Sequence, residues 1–170
     1  AGPSQVGRAF AHVIHRNALP HIDDFTPNGY TKEELKMLYE TRKIMGLPNV
    51  RVTPTAVRVP VRNSHSESVL AEFDKAIDPE TARRLLAKAP GVSLVDDPAS
   101  AKYPLAGDAD GKDDVFGGRI RQDLDNEKGL VFWVVSDNLR KGAALNAVQI
   151  AEVLMTRDLL RTPSATNARS

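Results

Sequence analysis

The chain has 170 residues, and 23 Lys and Arg against 22 Asp and Glu leave a formal charge of +1, which removes any broad electrostatic case for nucleic acid or an anionic membrane surface as partner. Hydrophobic residues at 41% and charged ones at 26% are near the globular norm, so one domain with a real core is expected and disorder throughout is excluded. Residues 130–135 form the longest apolar run, far short of the about eighteen residues of a membrane span, so a soluble, cytoplasmic protein is the expectation, and the absence of cysteine removes disulfides, thiolate metal sites and a cysteine nucleophile from these residues.

The chain starts at Ala1, and residues 1–16 carry neither a helical stripe nor a strand alternation, so the sequence reads as a piece of a longer one. Residues 17–30, rich in Pro, Asn, Asp and Gly, read as a structured loop. Thr31 and Glu34 then form a capping box, which predicts a helix to about Met45, stopped by Gly46 and Pro48. At helical spacing Met37, Leu38, Thr41, Ile44 and Met45 share one face, with Glu33, Lys36, Glu40 and Lys43 beside it. Residues 49–61 alternate as a strand, with Thr55, Val57, Val59 and Val61 on one side and Arg58 on the other. Pro54 and Pro60 make it an edge or irregular strand. A polar corner at 62–66 and a second alternation through Val69, Ala71 and Phe73 suggest that the two strands pair antiparallel.

Asp78 followed by Pro79 predicts a second helix with the stripe Ala82, Leu85, Leu86 and Ala89, ended by Pro90 and Gly91. Residues 92–95 read as a short strand, 96–114 as loop, and 115–123 and 130–135 as two strands, with Trp133 in the core. Asp137 or Asn138 opens a long helix, with Leu139, Ala143, Ala147, Ile150 and Leu154 at helical spacing. The last ten residues have no pattern and should fray. Helices and strands mix without a repeated βαβ unit, which predicts one α+β domain: a mainly antiparallel sheet covered by helices on one face. No Gly-rich nucleotide motif is present.

Four residues could carry chemistry together. A guanidinium (Arg58) holds a carboxylate through two hydrogen bonds, an ammonium (Lys43) suits phosphate, a carboxylate (Glu40) suits an amino group, and an imidazole (His65) carries protons near neutral pH. They match a small zwitterionic phosphorylated substrate. Each also has an ordinary reading, Glu40 and Lys43 as a solvated helix pair, Arg58 as an edge residue and His65 as a hydrogen-bonded corner. His12, His15, His21, Asp23 and Asp24 have metal-ligating chemistry but no recognisable spacing, so no metal is expected. Arg119 and Arg121 share a strand face, either for an anion or simply solvated.

Three blocks, GYTKEELKMLYETRKIMG (29–46), VRVTPTAVRVPVRNSHSESV (50–69) and GGRIRQDLDNEKGLVFWVVSDNLRKGAALNAVQIAE (117–152), resemble the C-terminal catalytic domain of the aspartate-semialdehyde dehydrogenases. The resemblance covers residues 17–152 in the family's order. It implies a glyceraldehyde-3-phosphate-dehydrogenase-like C-terminal domain, a homodimer, and a separate N-terminal domain for NADP. It also implies reductive dephosphorylation of aspartyl phosphate with NADPH, on the route to lysine, methionine, threonine and isoleucine. By the same resemblance His65 is the acid/base, Arg58 clamps the substrate carboxylate, Glu40 meets the amino group, Lys43 meets phosphate and Asn138 lies near the nicotinamide. The family's cysteine nucleophile and cofactor domain have no counterpart in this chain, and Arg16 stands where the family has an aromatic residue. The resemblance therefore implies residues 1–16 as an uncertain lead-in, 17–160 as a catalytic and dimerisation domain whose last helix packs on the cofactor domain, and 161–170 as a tail. The chain by itself is expected to be inactive. A second reading, from another class, is a noncatalytic dimerisation or anion-binding module derived from that domain.

Overall fold

The computed structural model describes residues 10–160 and divides between Pro60 and Val61 into two compact units. The fraying expected of residues 161–170, and most of the uncertain lead-in, lie outside the described residues.

In the first unit the capping box sets the start of α1 (Lys32–Met45): the Glu34 N–H donates to the Thr31 hydroxyl at 3.3 Å, and the Glu34 carboxylate accepts the Thr31 N–H at 2.8 Å. Gly46, in the left-handed region at φ 65, ends it. The inward face differs from the expected apolar stripe. Ile44 is 80% exposed and Met45 is exposed too, whereas Glu34 is buried and Leu35, Leu38, Thr41 and Arg42 are half-buried. Polar groups explain this, because they tie the helix to the chain that follows. The second Glu34 oxygen accepts the Ala56 N–H at 2.9 Å, and Arg42 Nε donates to the Val50 carbonyl at 3.0 Å.

That following segment is not the expected strand. Among residues 49–61 only Arg58 makes a β-bridge, to Leu19, with N–H···O distances of 2.8 and 2.9 Å. Pro54 and Pro60 have no N–H to offer a ladder, and the Ala56 N–H is taken by Glu34.

The second unit is built on a four-stranded sheet in the order β1 (His65–Glu72), β4 (Gly129–Ser136), β3 (Val115–Gln122), β2 (Val92–Leu94). β1 does not return along the segment before it. It pairs antiparallel with β4, placing His65 opposite Ser136 and Glu72 opposite Gly129. β3 and β4 are also antiparallel, while β2 and β3 are parallel. The fold is thus α+β, as expected.

One face of the sheet is covered by α2 (Pro79–Leu86), whose first turn is capped by Asp78 accepting the Thr81 N–H at 2.8 Å. Ala82, Ile120 and Leu130 form the core there, with Ile77, Leu86, Leu94 and Phe132 packed around them. On the opposite face Ser68 stands across from Trp133. Trp133 is half-buried instead of being core; the period of two in β4 turns it away from Leu130 and Phe132, onto the face where Val135 is fully buried. Its indole N–H donates to the Pro104 carbonyl at 3.1 Å. Leu70, on the same face, is 56% exposed.

β3 carries a register shift between Gly118 and Arg121, and one buried carboxylate holds it. Asp96 accepts the Arg119 N–H at 2.6 Å, the Ile120 N–H at 3.3 Å and Arg83 Nε at 2.7 Å, while Arg83 Nη2 donates to the Ile120 carbonyl at 2.6 Å. The region expected as loop contains a 3-10 turn, Pro98–Ser100, and the short α3 (Ala106–Ala109). After β4 the expected long helix opens with a π turn, Arg140–Ala144, and continues as α4 (Leu145–Thr156). Among the described residues α4 has no buried position, and Val148, Ile150, Val153 and Met155 are exposed.

Candidate functional site

His65 is the first residue of β1 and is exposed. The residue ahead of it is unusual. Ser64 is 6% exposed and sits in the left-handed region at φ 77, which a non-glycine residue holds only when its surroundings impose it. Its N–H donates to Asn138 Oδ1 at 2.9 Å. Its hydroxyl is a buried polar atom with no hydrogen-bond partner among the described residues. Two of the residues picked out from the sequence, His65 and Asn138, are thus brought together through Ser64.

The corner is held from a second side. Asn63 Nδ2 donates to Asp110 Oδ1 at 2.9 Å, and the neighbouring Gly111 N–H donates to Asp137 at 2.8 Å. Asp137 is 2% exposed and caps the π turn, accepting the Leu139 N–H at 2.8 Å and the Arg140 N–H at 3.1 Å. The Gly111 N–H, then those of Leu139 and Arg140 and the Asn63 side chain, hold its carboxyl below the usual carboxylate range against the opposing effect of burial.

The other three residues lie in the first unit. Arg58 is half-buried, its backbone fixed by the Leu19 bridge and its guanidinium stacked 4.9 Å from the centre of the Phe10 ring. Glu34 ties Ala56, two residues before Arg58, to the start of α1. The bond from the Thr31 N–H, and next that from Ala56, hold the Glu34 carboxyl below its usual range. Glu40 and Lys43 are exposed on α1, three residues apart.

The capping box made Glu34 visible in sequence, but nothing local signalled its second bond to Ala56. Asp137 was visible as a helix opener, and its bond to Gly111 was not. Arg119 and Arg121 line one hollow with Ser66, Ser68, Tyr103 and Trp133. Among the described residues no group of three or more His, Asp or Glu could hold a metal ion. His21 packs against Phe25 with ring centres 4.6 Å apart, and Asp24 pairs with Lys32 at 2.7 Å.

The second unit is an α+β domain with α2 on one face of its sheet and a histidine at the first position of the outer strand β1. The family described as "Semialdehyde dehydrogenase, dimerisation domain" matches residues 3–141, and the chain belongs to that family. It is similar to the aspartate-semialdehyde dehydrogenase of Aquifex aeolicus (57% identical over 89% of this chain and 44% of that protein) and to that of Legionella pneumophila (59% identical over 91% and 45%). The crystal structure of aspartate semialdehyde dehydrogenase II complexed with ASA from Vibrio cholerae superposes with a TM-score of 0.85 at 46% identity, covering 91% of this chain and 45% of that one. The chain spans less than half the length of these relatives.

Proposed function

We propose that this chain is the substrate-handling and dimer-forming part of an NADP-dependent aspartate-semialdehyde dehydrogenase of the cytoplasm. Such an enzyme converts L-4-aspartyl phosphate, NADPH and a proton into L-aspartate 4-semialdehyde, NADP and inorganic phosphate, a step serving lysine, methionine, threonine and isoleucine synthesis. The observation that carries the reading is identity above 55% to two aspartate-semialdehyde dehydrogenases across about nine-tenths of the chain.

Each residue has a role its chemistry suits. The Arg58 guanidinium, stiffened by its backbone bridge and the Phe10 ring, takes the substrate α-carboxylate by paired hydrogen bonds. Glu40 takes the α-ammonium and Lys43 the phosphate. His65, exposed at its corner, moves the proton at the reacting carbonyl oxygen. The residues present fit one edge of the cofactor. The Asn138 oxygen is committed to Ser64, which leaves its amide N–H2 to donate to a carboxamide, and bound NADPH supplies the hydride. The thiolate that attacks the acyl phosphate belongs to another part of the protein, since this chain has no cysteine.

The remaining surfaces suit the same assignment. Residues 17–160 form the catalytic and dimerisation domain. The exposed apolar side chains of α4 pack on the NADP-binding domain, and the part of the sheet left exposed around Leu70 of β1 pairs with a second copy.

The test uses the full-length protein that carries this chain, with NADPH formation followed in the reverse, phosphate-dependent direction. Arg58→Leu is expected to lower kcat/KM about 10²-fold through loss of a charge-assisted contact, and His65→Ala to lower kcat by about 10²-fold or more. Near-native rates in both variants, or no activity in the unmutated protein, would overturn the assignment.

A further inference from the structure

We propose that Asn138 is a positioning residue for His65, an inference that rests on the reading of His65 as the proton carrier. Two sets of backbone bonds fix where the imidazole starts. On one side β1 is laddered to β4, with His65 opposite Ser136. On the other, Ser64 is kept at φ 77 while its own hydroxyl makes no hydrogen bond among the described residues. The hold on its N–H is the Asn138 oxygen at 2.9 Å. An amide facing an N–H must present its oxygen, so the orientation of Asn138 is decided by Ser64.

Asn138 is itself held in place. Asp137 accepts three backbone N–H groups, those of Gly111, Leu139 and Arg140, and fixes the chain where β4 turns into the π turn. Oxygen and nitrogen of one side chain thereby have separate tasks: Oδ1 sets the histidine corner, and Nδ2 is left to donate to a ligand. Replacing the amide by a carboxylate separates the tasks, because Asp keeps an acceptor for Ser64 and has no donor, whereas Ala loses both.

In the full-length protein, Asn138→Ala is expected to lower kcat about tenfold or more, with KM for the acyl phosphate changed less than about threefold. Asn138→Asp should recover most of that kcat while KM for NADPH rises. In a His65→Gln background, adding Asn138→Ala should change the residual kcat less than about twofold, an outcome that general loosening of the fold does not produce. In the 170-residue chain, exchange of the Ser64 amide hydrogen should accelerate about tenfold in Asn138→Ala and stay within about threefold in Asn138→Asp, with the core amides of Ile120 and Leu130 as the control for folding.

Equal damage to kcat in the Ala and Asp variants, an additive loss in the His65→Gln background, or an unchanged Ser64 exchange rate in Asn138→Ala would overturn the proposal. A full-length protein with no NADPH-linked activity would instead sink the functional reading, and the Ser64 exchange rates would still decide whether Asn138 holds the corner.

Discussion

Glu34→Ala removes the acceptor of two backbone N–H groups, that of Thr31 at 2.8 Å and that of Ala56 at 2.9 Å. Hydrogen bonds to a charged acceptor contribute about 1.5–3 kcal/mol each, and part is regained when the freed groups meet water, so a loss of about 3 kcal/mol is expected. Glu34→Gln keeps one oxygen but turns an NH2 toward the other donor, for a loss of about 2 kcal/mol. Urea unfolding followed by far-ultraviolet circular dichroism measures the sum. Exchange of the Ala56 amide hydrogen measures the local part, where one bond worth about 1.5 kcal/mol corresponds to roughly a tenfold acceleration.

The same carboxylate gives a pH dependence of known sign. Its bonds hold the folded carboxyl below the usual range, so the folded chain binds the proton less readily than the unfolded one. The contribution is complete above the ordinary carboxylate pKa and is lost as pH falls through the lower folded value. Glu34→Gln should flatten stability across that acid window. An Ala56 exchange rate within about threefold of the parent in Glu34→Ala would refute the assignment of Glu34 as the clamp on the Arg58 segment.

Two substitutions test the second unit. Asp96→Ala takes away the closer of the two carboxylate partners of Arg83, leaving Glu80 at 3.6 Å, and removes the acceptor for the Arg119 and Ile120 N–H groups. Breaking a buried pair costs about 3–5 kcal/mol, and with the Arg83 side chain 31% exposed about 2–3 kcal/mol is expected from urea unfolding followed by Trp133 emission; an unchanged midpoint would mean that the bulge holds itself. Gly118→Ala would bring a Cβ to 2.6 Å from Pro104 Cδ and closer still to the Val95 carbonyl oxygen. Backbone that cannot yield makes this about 2–3 kcal/mol destabilising by the same measurement, and a stability equal to the parent would show that β3 can shift away from Val95.

The helices were legible where their signals were local. Thr31 and Glu34 are three apart, Asp78 and Pro79 adjacent, and both starts fell where the pattern placed them. The fold class followed from the mixture of helices and strands. The strand misplacements share one cause, that alternation records which side chains match but not which strand they meet. Residues 49–61 alternate well yet bridge only at Arg58, and β1 takes its partner from β4. The inward face of α1 differs from the apolar stripe because Glu34 and Arg42 bind distant backbone there, and helical spacing carries no sign of such bonds. A run such as LVFWVV does not say how far each position is covered, so Trp133, expected in the core, is half-buried while Val135 on the same face is fully buried. The roles of Arg58, Glu40, Lys43 and His65 were suggested weakly by chemistry and sharply only by resemblance.

The bond from Ser64 to Asn138 spans 74 positions of sequence. Closing so long a loop is entropically expensive and gains nothing until the central strands exist. During N-to-C synthesis, the histidine edge therefore has no sheet to join until β4 and Asn138 have been made. The corner at Ser64 and His65 is thus a late-forming part of its unit, and any lesion that slows growth of the sheet leaves it unformed for longest.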